Sequence, residues 1–451
     1  MGFSRKIIEE LSGIVELLPR EESSKYERDR WCYFGLQNEQ KAHALAVARP
    51  KDEEEVAKIL QFCQTHDLGV TVRGGGSSVT GSSAALNTLV IDMTKLSKIV
   101  QIDQENLVIN VQAGAKLSEI ESHLNEEGLT LGQFPQSFHL TTIGGFLSTM
   151  GTGEFSGKYG GIENSCISLR VALADGSIVE TQKTQAPRFS TGPDLSRLFI
   201  GAEGTLGVIL SAKLRIHRMD NHTLKLAFRF NNFSLALKAT KTLLELDIHP
   251  AVCRVYNEQE ASFMFGEAHA LMLLIYSFKS QRVMKCIEDE VKRKLPSTAG
   301  QELSTNLVDK WLDLRFKYDE QLGALEQVGY TVETAELGVP WSTIGALYKE
   351  LLPKLLSIEG VAGVGAHVSH IYHQGACLYL TIVIKKSTTT YTALWNEIEG
   401  ACRKHNATVS HHHGVGMLKS QMIKKEVAYE LLLRIKRTLD PKNMLNPNKM
   451  L

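Results

Sequence analysis

Three glycine-rich clusters, each tied to a strand-like run, constrain this 451-residue chain more than any other feature. The first, Arg73-Gly-Gly-Gly-Ser-Ser-Val-Thr-Gly81, follows the β-branched run Val70-Thr-Val72. Residues lacking a Cβ reach φ > 0 and turn successive N–H groups inward, so this loop is expected to form a phosphate-binding nest with positive φ through its triple glycine. Its spacing is neither GxxxxGK[ST] nor a GxGxxG opening a helix, which argues against ATP and nicotinamide folds. Taken alone it is equally well a glycine-rich hairpin. The second cluster is Phe134-Pro-Gln-Ser-Phe-His-Leu-Thr-Thr-Ile-Gly-Gly145 with Ser148-Thr-Met-Gly151, small and hydroxyl residues spaced to line a long ligand. The third, Gly201-Ala-Glu-Gly-Thr-Leu-Gly-Val-Ile209, carries close glycines into a strand, where main-chain amides can meet a ring edge.

Around these clusters the chain divides in four. Residues 1–44 are an N-terminal helical segment, in which a helix over Ser4–Leu18 puts Ile7, Ile8, Leu11, Ile14, Val15 and Leu18 on one face that docks on the body or, less simply, on a membrane or partner. Residues 45–218 alternate short strands (69–73, 88–92, 107–111, 168–173, 208–217) with helices such as 53–66. Residues 219–406 bring longer amphipathic helices, 234–246 and 281–295, after a strand at 223–230. Residues 407–451 end in a helix stopped by Pro441 and Pro447.

Fifty basic residues balance fifty acidic ones, so no overall field draws nucleic acid, and recognition is local. Seven scattered cysteines with no CxxC pair fit reduced thiols, and no run approaches the ~20 apolar residues of a membrane span. A cytoplasmic protein without a metal site is expected.

In order and spacing, RGGGSS, PQSF with TTIGG, KYGGIEN, RFSTGPDL and GAEGTLGVI resemble the FAD-binding domain of the vanillyl-alcohol-oxidase and cresol-methylhydroxylase superfamily. The resemblance implies an α+β class: a two-subdomain FAD-binding fold of the vanillyl-alcohol-oxidase type, an α+β substrate (cap) domain and a C-terminal helical return. It implies that Val72, Arg73, Gly74, Gly75, Gly76, Ser77 and Ser78, with Pro135, Gln136, Ser137, Phe138, His139, Leu140, Thr141 and Thr142, wrap the FAD pyrophosphate. Gly145, Ser148, Thr149, Met150 and Gly151, with Glu203, Gly204, Thr205, Leu206, Gly207, Val208 and Ile209, would approach the ring system and adenosine, and Lys158-Tyr159-Gly160 would close the cradle. Some members tether the flavin through a histidine after the glycine loop; Ser77 and Ser78 stand there, so non-covalent FAD is expected.

The second half carries the chemistry. Ser410-His-His-His-Gly-Val-Gly416 places three imidazoles in a row; on an extended segment at most two share a side. Acid–base work near neutral pH is the sharper reading of His411, His412 and His413, and a surface tract or a metal site is the plainer one, the latter lacking carboxylate or cysteine support nearby in sequence. Alternation puts His370 and Tyr372 on one face, where the phenol either handles a proton or packs as a strand aromatic. Arg254 sits in an apolar strand and must face an anion.

Together PAxxRxxN with Arg254, SHxYxxGACxY with Tyr372, SHHHGVG, RFSTGPD and the closing LDPKNMLNPNKM resemble the alkylglycerone-phosphate synthase family of ether-lipid enzymes across nearly the whole chain. That implies exchange of the acyl group of acyl-dihydroxyacetone phosphate for a fatty alcohol through a flavin N5 adduct, without net redox change. Tyr372 would move the substrate proton, while Arg254 and His411–His413 stabilise charge and position the phosphate end. The lipid-like substrate implies peripheral membrane contact, and relatives suggest a homodimer. The family's phosphate-binding arginine has no match in register: the helix before Glu333 reads Tyr318-Asp-Glu-Gln-Leu-Gly, with Arg315 the nearest candidate, and Leu131-Gly-Gln133 stands where a histidine is common. The alternative on the same fold is an FAD-linked oxidase or dehydrogenase of a 2-hydroxy acid such as glycolate or D-lactate, or of another alcohol. Its metal-binding His-x-Gly-Asp-Gly-Asn-x-His strand is absent. A flavin-binding scaffold without turnover is a third reading.

Overall fold

Helix Glu53–Thr65 begins where the Asp52 carboxylate accepts the Glu55 N–H, and its buried face (Val56, Ile59, Leu60, Cys63) lies against the strand that follows, Val70–Arg73. The computed structural model describes residues 5–36, 43–184, 186–188, 190–317, 323 and 325–451. Ser4, Phe189 and the stretch 318–322 singled out in the sequence lie outside the described residues. Val70–Arg73 and Ala44–Ala48 flank Thr88–Asp92 in a parallel three-stranded sheet. Beside it an antiparallel sheet runs in the order Ile99–Asp103, Val108–Gln112, Val208–Arg215, Cys166–Ala172, Ile178–Glu180. One apolar core joins both sheets, from Leu11 to Leu445.

The first helix is shorter than its periodicity predicts. It ends at Ser12, and Leu17 and Leu18 run extended against the Ala44–Ala48 strand, with Leu18 N–H donating to Val47 O at 2.9 Å. Leu11 and Val15 are buried in the core, so the segment docks on the body.

The second body is a seven-stranded antiparallel sheet, ordered Gln301–Leu303, His222–Phe230, Ala270–Phe278, Val252–Tyr256, Val361–Ile371, Gly375–Lys385, Tyr330–Pro340. Alternation along each strand sorts its two faces. Leu226, Val255, Leu274, Val368 and Leu380 face helices Phe233–Glu245, Gln281–Ser297, Ile344–Leu356 and Thr388–Lys404. The opposite face packs Val252, Leu271 and Leu273 against helices Glu258–Phe265 and Asn306–Leu314. That second face also carries a polar row, because Tyr256 pairs with His367, His367 with Tyr379 and Tyr379 with Glu336 across neighbouring strands.

The chain then returns to the first body. Helix Tyr429–Leu439 ends at Asp440, and Leu445 bridges to Val70. Lys436, 4% exposed, donates to Asp440 Oδ2 at 2.6 Å and to the carbonyls of Thr205 and Leu445 at 2.8 Å. Among the described residues no helix is long and apolar enough to cross a membrane. Replacing Asp440 by Ala leaves a buried ammonium without its carboxylate, and the expected cost is ~3–5 kcal/mol. Denaturant unfolding of D440A measures it, and an unchanged midpoint would contradict this account of the tail.

Candidate flavin cradle and catalytic site

The first two glycine clusters meet main chain to main chain. A Cβ on Gly75 would lie 1.7 Å from Leu140 O, and one on Gly74 would lie 2.0 Å from Thr142 Oγ1. Within the triple glycine only Gly76 has positive φ, +68°. Gly74 and Gly75 therefore serve close approach, and the expectation of a left-handed run is corrected to a single left-handed residue. Hydroxyls line the seam: Ser77 and Thr141 are 3.2 Å apart, Ser137 and Thr141 2.7 Å. Such a seam, polar and open to main-chain N–H groups, fits the phosphates of a dinucleotide.

Several sequence candidates take other roles. The Arg73 guanidinium donates to the carbonyls of Arg28 (2.9 Å), Ser83 (3.0 Å) and Lys25 (3.2 Å), which leaves its main chain to the cradle. Phe138 stacks on Phe316, centroids 5.7 Å apart. Thr205, Leu206, Val208 and Ile209 are buried, the three apolar ones within the core, so they can approach a ligand through backbone alone. Lys158 is paired with Asp220, and the Tyr159 ring fills the space under Gly132, so both brace the cradle from outside. Glu203 accepts N–H from Val415 and Gly416, joining the third cluster to the histidine run.

That run is not extended. It bends between Ser410, whose hydroxyl donates to Gly414 O at 3.0 Å, and Glu336, which accepts the His413 N–H at 3.1 Å. All three imidazoles gather in one cluster, against the two-sided arrangement expected of a strand. Tyr379 Oη lies 2.9 Å from His412 Nε2 and 3.1 Å from His413 Nε2. Tyr372 Oη lies 2.9 Å from His411 Nε2, and His411 Nδ1 is 2.8 Å from His412 Nδ1. His370 stacks on His411, centroids 5.2 Å apart, and shares a hydrogen bond with Ser156 Oγ. Simple alternation is not what brings His370 and Tyr372 together: the ladder shifts register at His370 (φ +49°), and Tyr372 follows the strand's last residue. The cysteine support missing from the local sequence is also present in space, since Cys377, His411 and His412 hold potential ligand atoms within 4.8 Å of one another.

Arg254 meets its anion in the first body: Nη2 donates to Glu154 Oε1 at 3.2 Å, and Nη1 lies 2.8 Å from His367 Nε2. Arg315 approaches the other Glu154 oxygen at 3.7 Å, its guanidinium 4.5 Å from the Phe316 ring centre. Arg254 Nε, Arg315 Nε and Nη1, and Glu154 Oε2 are buried without a hydrogen-bond partner. Glu154, Glu336, His367 and Tyr379 were not singled out in the sequence; the alternating strand positions of the last three carry a signal only once the register is known.

Burial sets the protonation states. It pushes His411 down to about 4 and holds His370 and His412 well below the ordinary imidazole range. It raises the phenols of Tyr372 and Tyr379 above theirs. Glu336 is also pushed up by burial, but Lys419, at 2.9 and 3.0 Å, and His413 outweigh this and hold it well below the carboxylate range. His370, His411 and His412 are thus neutral rings beside an ionised Glu336 carboxylate.

A glycine-seamed cradle beside a cluster of largely buried imidazoles and phenols is what a flavoprotein fold provides. The chain belongs to the FAD-linked oxidases: the FAD binding domain family matches residues 44–182 and the FAD linked oxidases, C-terminal domain family matches residues 220–450. Alkyldihydroxyacetonephosphate synthase of Dictyostelium discoideum is 26% identical over 447 residues, covering 90% of this chain and 73% of that protein. The synthase of Caenorhabditis elegans is 29% identical over 455 residues, with coverage of 88% and 74%. A solved structure of alkyldihydroxyacetonephosphate synthase superposes with a TM-score of 0.83 at 21% identity, covering 98% of this chain and 84% of that one. The α+β fold of the vanillyl-alcohol-oxidase type follows.

The neutral histidines have a stability signature. The unfolded chain protonates His411 near its ordinary 6.5, whereas the folded ring resists until about 4. Stability is therefore complete above pH 6.5 and declines as the pH falls toward 4. For His411 the loss is on the order of 2 kcal/mol, less than the full shift because its ring is partly solvated. Thermal midpoints from pH 7.5 to 4.5 should fall and should flatten in His411→Gln; parallel curves would refute the assignment.

Proposed function

We propose that this protein is an alkylglycerone-phosphate synthase, exchanging the acyl group of an acyl-dihydroxyacetone phosphate for a fatty alcohol on non-covalently bound FAD. The observation that carries this reading is the pair Arg254 and Arg315 converging on Glu154 with orphaned N–H groups. Buried guanidinium donors call for acceptors, and a substrate phosphate supplies several at once. Arg315 thus takes the role for which the sequence offered no arginine in register, supported by the aromatic rings of Phe316, Phe134, Phe155 and Trp311 around it.

Main chain and hydroxyls at 72–78 and 136–142 would hold the FAD pyrophosphate, and main chain at 148–151 and 203–209 the rest of the cofactor. FAD, when bound, supplies a ring that accepts electron density from the substrate. Ser77 and Ser78 offer no imidazole for a covalent tether. Tyr372, half-exposed at the edge of the imidazole cluster, moves the substrate proton, and His411 receives its hydrogen bond.

The test is formation of an ether product from palmitoyl-dihydroxyacetone phosphate and hexadecanol by the purified holoenzyme. Absence of ether, together with anaerobic bleaching of the flavin by glycolate or D-lactate, would overturn the proposal in favour of oxidation. Tyr372→Phe should retain FAD and lose ~10²–10⁴-fold in turnover. Acid precipitation should release all yellow colour into the supernatant.

A further inference from the structure

A phenol raised by burial is a poor base if it must first become a phenolate. Tyr372 escapes this if its own proton leaves as the substrate proton arrives, and the hydrogen bonds behind it have one consistent polarity for that. Ionised Glu336 can only accept, so the His413 Nδ1 that stands 3.4 Å from Glu336 Oε2 carries a proton, and in the tautomer from which the chain starts Nε2 is the lone pair. Tyr379 then donates to His413 Nε2, and its oxygen must accept from His412 Nε2–H. His412 Nδ1 is left as a lone pair and accepts from His411 Nδ1–H. His411 Nε2 is left to accept from the Tyr372 hydroxyl. Every proton in the chain points toward Glu336.

We propose that Tyr372, His411, His412, Tyr379 and His413 form a proton wire anchored by Glu336, so that a proton taken from the substrate ends as an imidazolium on His413 paired with that carboxylate. The inference rests on the reading of Tyr372 as the residue that moves the substrate proton. One proton enters and none is lost. The substrate's bond to hydrogen breaks, its electron pair stays with the substrate, and a new O–H forms on Tyr372. The old Tyr372 proton moves to His411 Nε2, the His411 Nδ1 proton to His412 Nδ1, the His412 Nε2 proton to Tyr379, and the Tyr379 proton to His413 Nε2. Both phenols stay neutral throughout. The wire ends with its polarity reversed, so Tyr372 can later return a proton by the same route.

His411 and His412 cannot be the resting place of the charge, because both are buried without an acidic partner in hydrogen-bond contact. His413 has one, and Lys419 in turn keeps Glu336 ionised at 2.9 and 3.0 Å. Glu336 also accepts from the Ser410 hydroxyl (2.8 Å) and from the His413 N–H, which holds the run in its bend. Glu336, fully buried, is thus a positioning residue and Tyr379 a relay, and both act through Tyr372.

Ring nitrogen shifts of ¹⁵N-histidine-labelled holoenzyme read the wire directly and without substrate. The resting protein should carry protons on His411 Nδ1, His412 Nε2 and His413 Nδ1; a His411 proton on Nε2 overturns the proposal. In the double variant Glu336→Gln, Lys419→Met, an amide oxygen keeps the bonds from Ser410 and the His413 N–H while an NH₂ group faces His413 Nδ1. That should move the His413 proton to Nε2, and unaltered tautomers would overturn the anchoring role. Should the double variant not fold, Tyr379→Phe cuts the wire and leaves the Glu336–Lys419 pair intact. Its turnover should fall about 10²-fold at unchanged FAD content and KM. Full turnover in Tyr379→Phe, with Tyr372→Phe inactive, sinks the wire and spares Tyr372; full turnover in Tyr372→Phe sinks the reading it rests on.

Discussion

The Glu203 carboxylate is the point on which the two halves of this protein close. It is 5% exposed, its residue sits at φ +49°, and it accepts N–H from Val415 and Gly416. Burial pushes it up to about 7, with those two N–H groups and Lys419 and Lys449 pulling the other way. Because Glu203 lies in the third glycine cluster and its partners follow directly on the histidines, one interaction ties the histidine run to the glycine clusters. A Cβ on Gly414 would sit 2.6 Å from Glu203 Oε1, so the close approach also requires glycine on the opposite side. The C-terminal tail reinforces the junction through Asn446, whose amide donates to Glu203 O at 2.7 Å and to Ser82 O at 3.0 Å.

Local features of the fold could be read from residues alone. The helix at 53 announces itself by an Asp52 cap and a 3.6-residue apolar period, and the strand after it by β-branched residues and glycine. The glycine clusters pointed to close main-chain approach, yet a sequence does not say whether a glycine is needed for its φ or for its missing Cβ. Gly75 shows the second case and Gly76 the first. Periodicity overstates the N-terminal helix because the apolar pattern at Ile14, Val15 and Leu18 continues after the chain has turned at Gly13 to run along a strand.

The site was legible by residue type and not by partner. That Arg254 needed an anion followed from the apolar strand around it, but Glu154 lies 100 residues away on the other body, and no spacing records that pairing. The histidine run looked like a strand and was expected to point two ways; a buried carboxylate four residues into a neighbouring β-ETAE segment bends it instead. Cys377 shows the same blindness, being distant in sequence from the imidazoles beside which it packs.

Register ties the site to the core. Arg254, His367, Tyr379 and Glu336 occupy the sheet face opposite the one that packs Val255, Val368, Leu378, Leu380 and Leu337 against helices. Slipping any one of these strands by a single residue would exchange the two sets, burying a charge among aliphatic side chains and exposing leucines to the cleft. The alternation that stabilises the helical layer therefore also fixes the polar row across four strands. Hydrophobic burial, which has no directional preference of its own, positions this polar row because each member lies one residue from a side chain the core cannot give up.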